Sequence, residues 1–324
     1  SSIFSAVSSL TYSPDTEPDS LHGMLAMSTG ILCIMIAYAS ALTFEKKRRY
    51  HSHALTPQVD SSFDGKMPIE FVHVPKSGTS FISTLLHIPG ACENLPKSED
   101  VILASINSFH IPSSWKCNSS VVDIEPGRLG HEFIDTLPTG GFEAAKGRFM
   151  IMLRQPEQRL LSGMTSTIKN PDENDLMKVQ AERSGCVTKM LARTAPPSSF
   201  WRRQTDWFTA CVGKPPPTRA EVETAKSRLQ TGFSFIGITD QWDLSICLFN
   251  TMFNQACRSI QFQNSRPTSG NATTLYDTSA LEGWRDPYDS ELYEVGLQMF
   301  EASLKKYNVS ESSCEPCWRE AGLL

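Results

Sequence analysis

The sequence contains few histidines and no excess of positive charge. Its formal net charge is −5, which gives no reason to expect a nucleic-acid partner. All seven histidines lie at or before His131. Cys314 and Cys317 form a single Cys-x-x-Cys, with no second pair and no later histidine to complete a zinc site. We therefore predict that no metal is bound.

One hydrophobic run is separate from the rest of the chain. Residues 23–44 carry no charged side chain, and at about 1.5 Å per residue a helix of that length spans the roughly 30 Å of hydrocarbon in a bilayer. We predict a transmembrane anchor over 23–44, a disordered tail over 1–22, a stem over 45–66 and a folded domain over 67–324. The alternatives for the run are a core helix and a signal peptide that ends at Ala39-Ser40-Ala41.

The stretch Ile69–Leu86 predicts a buried strand, a tight loop and a helix in succession. Its loop, Pro75–Ser80, combines one glycine, a lysine and three hydroxyl side chains near a helix N-terminus, which suits an anion. The Gly-Lys-[Ser/Thr] of an ATP-binding P-loop is absent because Lys76 precedes the only glycine, so binding is expected to need no Mg²⁺. The alternative is an ordinary glycine turn with a solvated lysine.

Another apolar strand, Gly147–Met152, is followed closely by a predicted helix whose first position suits Pro156. Arg154 at the strand end and Ser162 in the second helical turn are expected to converge on one phosphate. Arg159 lies on the same face of that helix, three residues before Ser162. The alternative is that Arg159 is a surface cation and Ser162 a solvated hydroxyl.

These two segments resemble motifs of one enzyme family. Residues 75–80 follow the pattern P-K-x-G-[TS]-[TS], and residues 154–162 follow R-x-P-x-x-R-x-x-S. They are similar to the 5′-phosphosulfate loop and the 3′-phosphate motif of sulfotransferases that use 3′-phosphoadenosine 5′-phosphosulfate (PAPS). Phe233–Phe249 resembles a late strand and helix of the Golgi-type carbohydrate sulfotransferases. Gln155 and Met164 depart from the family pattern, although neither is a phosphate ligand.

The resemblance implies an α/β fold of the P-loop-like, three-layer type with a central parallel sheet. It also implies transfer of a sulfuryl group from PAPS to a hydroxyl of a carbohydrate acceptor. Two alternatives stay open: an ATP-using enzyme of the P-loop kinase type, and a catalytically silent binding protein that keeps the nucleotide fold.

The same resemblance implies the site residues. Lys76 is expected to stabilise the oxygen of the departing phosphate. We predict His131 as the general base because histidine titrates near neutrality and His131 lies between the two motifs; its neighbour Glu132 would orient it or be the base itself. His73 is expected to pack in the strand. The predicted nucleotide-binding residues are Pro75, Lys76, Ser77, Gly78, Thr79, Ser80, Phe81, Arg154 and Ser162.

The predicted orientation in the membrane rests on opposing features. The basic run Lys46–Arg49 after the anchor favours a cytosolic domain. Glycosylation triplets begin at Asn118, Asn271 and Asn308, and an even number of cysteines lies outside the anchor, available for disulfide pairing. Golgi sulfotransferases also face the lumen. We predict a single-pass Golgi membrane glycoprotein with a lumenal catalytic domain and disulfide bonds.

Three further helices are expected. The region Asp172–Arg193 is predicted to be one helix. A capping box at Thr218 and Glu221 predicts a helix that runs toward Gln230. Asp289–Tyr307 has apolar residues at helical spacing and predicts a late amphipathic helix.

Overall fold

The structure is a computed structural model. It describes residues 69–93, 95, 116–118, 121, 131–137, 140–167, 172–193, 215–263 and 275–324, all of which belong to one compact unit, Pro57–Leu324. No helix within these ranges has the length and apolar character needed to cross a membrane. The predicted tail, anchor and stem over 1–66 lie outside the described residues.

Three parallel strands form the sheet at the centre of the domain. They are β1 (Glu70–Val72), β4 (Phe149–Leu153) and β5 (Phe233–Ile238), arranged in the order β1-β4-β5. Nearly every residue in them is buried, as expected for a parallel sheet covered on both faces. The predicted α/β class with a parallel sheet is confirmed.

A short antiparallel pair, β2 (Cys92–Glu93) with β3 (Lys116–Cys117), accompanies the sheet. The described helices, in chain order, are α1 (Phe81–Leu86), α2 (Phe142–Ala145), α3 (Pro156–Thr167), α4 (Glu173–Arg183), α5 (Cys186–Ala192), α6 (Arg219–Gly232), α7 (Trp242–Phe253), α8 (Asp289–Lys306) and α9 (Glu311–Glu320). Short 3-10 turns occur at Ile134–Thr136, Thr239–Gln241, Ser259–Phe262 and Ser279–Leu281.

Two of the helix predictions are confirmed. The side chain of Thr218 accepts a hydrogen bond from the Glu221 N–H and starts α6 with a capping box. The late amphipathic helix is α8, which buries Leu292 and Met299. Both helices contact β5.

The prediction of one helix over Asp172–Arg193 is wrong. The chain forms α4, breaks at Ser184 and Gly185, and resumes as α5. Gly185 has a φ of 64°, in the left-handed region that glycine adopts most readily. Its N–H donates to the Asp286 carboxylate at 3.0 Å, and this long-range bond is available only if the helix stops there.

Three disulfide bonds between cysteines of the described residues confirm that cysteines pair. They join Cys92 to Cys117, Cys247 to Cys314 and Cys257 to Cys317. The first connects β2 to β3, and the other two hold α9 against α7 and the chain that follows it. Both sulfurs of the Cys-x-x-Cys are therefore bonded to different cysteines.

Candidate functional site

The candidate site lies where the three parallel strands end. Residues 73–80 follow β1, Arg154 follows β4, and Thr239 and Asp240 follow β5. Carboxyl ends of parallel strands share one edge of a sheet, and ligands of open α/β folds bind beyond that edge. The two sequence motifs therefore meet in space although they are far apart along the chain.

The loop after β1 lies tightly against the other strands. Lys76 has a φ of 63° and Gly78 a φ of 84°. A Cβ on Gly78 would lie 2.8 Å from Cζ3 of Trp242 and 3.5 Å from Cβ of Met152, so only glycine fits. Trp242 in turn donates its indole N–H to the carbonyl oxygen of Gln261 at 2.8 Å. The sequence indicated the glycine but not the indole beneath it.

Polar groups of this loop differ in what they contact. The Phe81 N–H donates to the Gly78 carbonyl oxygen at 2.9 Å, and its ring is fully buried against Phe235, so Phe81 belongs to the core. No hydrogen bond among the described residues uses the N–H groups of Gly78 and Thr79. Ser77 is 2% exposed, and its Oγ has no hydrogen-bond partner in the same part of the chain. Such a buried hydroxyl indicates a missing partner.

Two histidines lie beside the loop. Nε2 of His73 is 3.1 Å from Oγ1 of Thr79, and Nδ1 of His131 is 2.9 Å from the carbonyl oxygen of His73. The two imidazole centroids are 4.4 Å apart, and both side chains are buried. Because a carbonyl oxygen only accepts, His131 carries its proton on Nδ1, and Nε2 is the basic nitrogen of the neutral ring. Glu132 is half-buried.

Arg154 connects the end of β4 to the loop. Its Nη1 donates to the carbonyl oxygen of Lys76 at 3.5 Å, and its guanidinium lies over the Tyr276 ring at 5.3 Å from the centroid. Its Nε is 3.8 Å from Oδ1 of Asp240. Burial lowers the pKa of Arg154, and the positive charge of Arg159 adds to the effect. An arginine remains charged under these conditions, so the site keeps a partly desolvated cation.

Asp240 is a site residue that the sequence did not single out. Its carboxylate accepts a hydrogen bond from the Gln155 N–H at 3.3 Å and faces Arg154. Burial raises the pKa of Asp240, while Gln155 and Arg154 oppose the rise. The only sequence signal was its position directly after a predicted strand.

Arg159 and Ser162 of the second motif both lie on helix α3, but they have different roles. Arg159 is 3% exposed and donates through Nη2 to Asp289 at 2.9 Å, so it is not a surface cation. A second carboxylate, Asp286, lies 4.0 Å from the same nitrogen. Ser162 is buried on the same helix. Arg159 therefore holds α3 to α8, and Arg154 and Ser162 are the residues of this motif that remain candidates for a phosphate.

A further cation, Arg183, lies next to α3. A Cβ on Gly163 would be 2.5 Å from Nη1 of Arg183 and 3.9 Å from Cγ of Lys76. Arg183 ends helix α4 and is half-buried. No sequence pattern identifies Arg183, because nothing in the spacing relates residue 183 to either motif.

Comparison of the chain with protein-family models, with curated proteins and with solved structures gave no match. Within the described ranges, no group of three or more His, Cys, Asp or Glu side chains is arranged to hold a metal ion.

Proposed function

We propose that the protein is a PAPS-dependent sulfotransferase with a P-loop-like fold that acts on a carbohydrate hydroxyl. The observation that carries the proposal is the hydrogen bond from Nη1 of Arg154 to the carbonyl oxygen of Lys76, across 78 residues of sequence. It connects the two motifs that resemble the phosphosulfate loop and the 3′-phosphate motif. A nucleotide with phosphates on both sides of its ribose needs two anion sites near each other, which supports the proposal.

The residues present suit such a nucleotide. The N–H groups of Gly78 and Thr79 and the buried Oγ of Ser77 offer donors beside Lys76, which suits the 5′ group. Arg154 and Ser162 suit the 3′ phosphate, because a planar guanidinium binds phosphate oxygens in pairs. Bound PAPS supplies an activated sulfuryl group. Pro75, Ser80 and Phe81 shape the loop and the start of α1.

The chemistry assigned to the protein is proton transfer and charge stabilisation. Nε2 of His131 takes the proton of the acceptor hydroxyl as its oxygen bonds to sulfur and the sulfur–oxygen bond to the 5′ phosphate breaks. Lys76 faces the oxygen that leaves with the electron pair and neutralises its charge. Glu132 is the proposed partner of His131. Positioning and electrostatics dominate in the related case of phosphoryl transfer, and we expect the same here.

We further propose a lumenal position in the Golgi, with the membrane anchor predicted over 23–44. The three disulfide bonds support an oxidising compartment. Asn118 and Asn308, which begin two of the glycosylation triplets, are both exposed. Treatment of the cell-expressed chain with a glycosidase should increase its mobility on a gel. An unchanged mobility, together with digestion by protease added to the cytosolic side, would contradict the lumenal assignment.

The test of the proposed activity is calorimetric binding to the purified full chain in detergent. We expect 3′,5′-ADP to bind without Mg²⁺ and much more tightly than 5′-ADP. Arg154→Ala should weaken 3′,5′-ADP binding by about tenfold or more, since a charged hydrogen bond contributes roughly 1.5–3 kcal/mol.

The matched control is Arg148→Ala, at the opposite end of β4. Arg148 donates to the carbonyl oxygen of Ala144 and lies away from the carboxyl edge of the sheet. Its loss should leave binding unchanged. Equal affinity for 5′-ADP, or a requirement for Mg²⁺, would instead favour an ATP-using enzyme. Tight, selective 3′,5′-ADP binding without sulfate transfer to any glycan would favour a silent binding protein.

A further inference from the structure

Trp242, the first residue of α7, packs against the loop that follows β1. A Cβ built on Gly78 would lie 2.8 Å from Cζ3 of Trp242 and 3.4 Å from Oγ1 of Thr239. The N–H of Gly78 is one of the two loop donors that no described residue accepts. The indole therefore supports the backbone at the point where the loop offers a hydrogen bond to an anion.

The indole is also anchored through its nitrogen. Nε1 of Trp242 donates to the carbonyl oxygen of Gln261 at 2.8 Å. Gln261 lies in the turn Ser259–Phe262, which contacts α1, the helix that follows the loop. Trp242 is only partly buried, so the hydrogen bond contributes to the orientation of its ring.

A reciprocal pair of amide side chains fixes Gln261. Nδ2 of Asn250 donates to Oε1 of Gln261, and Nε2 of Gln261 donates to Oδ1 of Asn250, both at 2.9 Å. The Arg258 N–H donates to the same Oε1 at 2.9 Å. Nδ2 of Asn250 also lies 3.2 Å from Sγ of Cys257, which is bonded to Cys317 in α9. Both amide side chains are buried, and a satisfied buried network of this kind favours one arrangement of its members.

We propose that Trp242 is a positioning residue for the nucleotide loop, held by the amide pair of Asn250 and Gln261, and that it sets the affinity for the 5′ phosphate. This inference rests on the proposed function. The contacts run from the amide pair to the indole and from the indole to the backbone of Gly78. A change in the indole or its anchor moves the Gly78 N–H away from the 5′ phosphate. The residues proposed for the 3′ phosphate lie on other elements, so the loss should be confined to the 5′ side.

The experiment measures Kd by calorimetry for 3′,5′-ADP and for adenosine 3′-monophosphate, which lacks the 5′ phosphate, on the full chain in detergent. Trp242→Phe keeps an aromatic ring and removes the indole N–H. It should weaken 3′,5′-ADP binding by about fivefold, the equivalent of one typical hydrogen bond, and change binding of the 3′-monophosphate by less than about twofold. Gln261→Met, which keeps the length of the side chain and removes its amide, should have the same selective effect. Thermal unfolding of each variant checks that the fold is retained.

The matched control is Trp318→Phe in α9. Trp318 is also partly buried, but its indole N–H donates to no acceptor among the described residues. The same substitution there removes an indole without breaking such a hydrogen bond, and it should change neither affinity.

A double variant tests the contact between the indole and the loop. Gly78→Ala should weaken 3′,5′-ADP binding less in the Trp242→Phe chain than in the wild-type chain, because phenylalanine lacks the Cζ3 atom that the new Cβ would meet. Strictly additive losses would mean that the two residues act independently and would contradict the proposal.

The remaining outcomes separate this inference from the proposed function. If the wild-type chain prefers 3′,5′-ADP to 5′-ADP and Trp242→Phe does not alter its binding, the role of Trp242 is wrong while the proposed function stands. An equal loss for 3′,5′-ADP and the 3′-monophosphate would mean that Trp242 supports the whole fold, and it would refute a role specific to the loop. If the wild-type chain fails to prefer 3′,5′-ADP to 5′-ADP, the proposed function and this inference both fall.

Discussion

The buried carboxylate of Asp289 provides the sharpest test of how the domain is held together. It is 2% exposed and accepts four hydrogen bonds. The donors are Nη2 of Arg159, the N–H of Val187, and the N–H and Oγ1 of Thr188, all at 2.9–3.0 Å. One side chain at the start of α8 thus fixes both α3, which carries the second motif, and the first turn of α5.

We expect Asp289→Ala to lower the free energy of unfolding by about 3–5 kcal/mol, because it leaves the charge of Arg159 buried without its nearest partner. Thr188→Val keeps the shape of the side chain and removes one of the four donors. Its expected cost is about 1 kcal/mol, the typical net value of one hydrogen bond. The difference between the two variants measures the combined contribution of the charged pair and the two backbone N–H bonds.

Urea unfolding followed by circular dichroism, with disulfides intact, gives both values. The control is Glu315→Ala, whose partner Arg319 is 3.5 Å away, with both side chains more than half exposed. An exposed pair of this kind should contribute less than about 1 kcal/mol. A loss below about 1 kcal/mol for Asp289→Ala would refute the reasoning, since it would mean that Arg159 finds another partner at no cost.

Three other predictions concern the site and its support. His131→Ala should reduce sulfate transfer from PAPS to a glycan acceptor by about a hundredfold or more while 3′,5′-ADP still binds. The control, His87→Ala, should leave the rate near normal. Near-normal turnover in His131→Ala would show that His131 is not the base. Gly78→Ala should destabilise the fold by about 1–3 kcal/mol and weaken nucleotide binding. The reasons are that Gly78 has a φ of 84° and that an added Cβ would lie 2.8 Å from the Trp242 indole. An unchanged melting temperature would contradict this prediction. The hydrogen bond from Arg193 is the main reason that the pKa of Glu221 is lowered to about 2. The ionised Glu221 carboxylate therefore stabilises the fold fully above about pH 4.5, and this contribution is lost as the pH falls toward 2. Glu221→Gln should flatten the pH dependence of unfolding over that window, and an unaltered profile would exclude this origin.

Much of the fold near the site was predictable because it depends on local signals. An apolar run followed by Pro156 predicted the end of β4 and the start of α3, and both are observed. The capping box at Thr218 likewise fixed the start of α6. The break at Gly185 was not predictable, because helical spacing continues through it and the bond that stabilises it comes from Asp286, 101 residues later.

In the candidate site, too, some residues were predictable from the sequence and others were not. Lys76 and Arg154 were identified from sequence patterns, and their side-by-side position follows from the parallel order of β1 and β4. Asp240 and Arg183 were not identified, because neither lies in residues 75–80 or 154–162, where the two phosphate motifs are. His73 was expected only to pack, yet its carbonyl oxygen accepts the hydrogen bond that orients His131. Contacts of this kind depend on tertiary packing and produce no periodic pattern in a single sequence.

The disulfide pattern has a consequence for biosynthesis. Cys92 and Cys117 are 25 residues apart, whereas Cys247 and Cys257 pair with cysteines 67 and 60 residues later. At a synthesis rate of about 5–20 residues per second, the thiol of Cys247 waits about 3–13 s for its native partner. During that interval Cys247 in α7 and Cys257, which follows α7, both lack their native partners, because α9 has not yet been synthesised. Among the three disulfides described above, the two that tie α9 to α7 and to the chain after it are therefore the last that can form during synthesis.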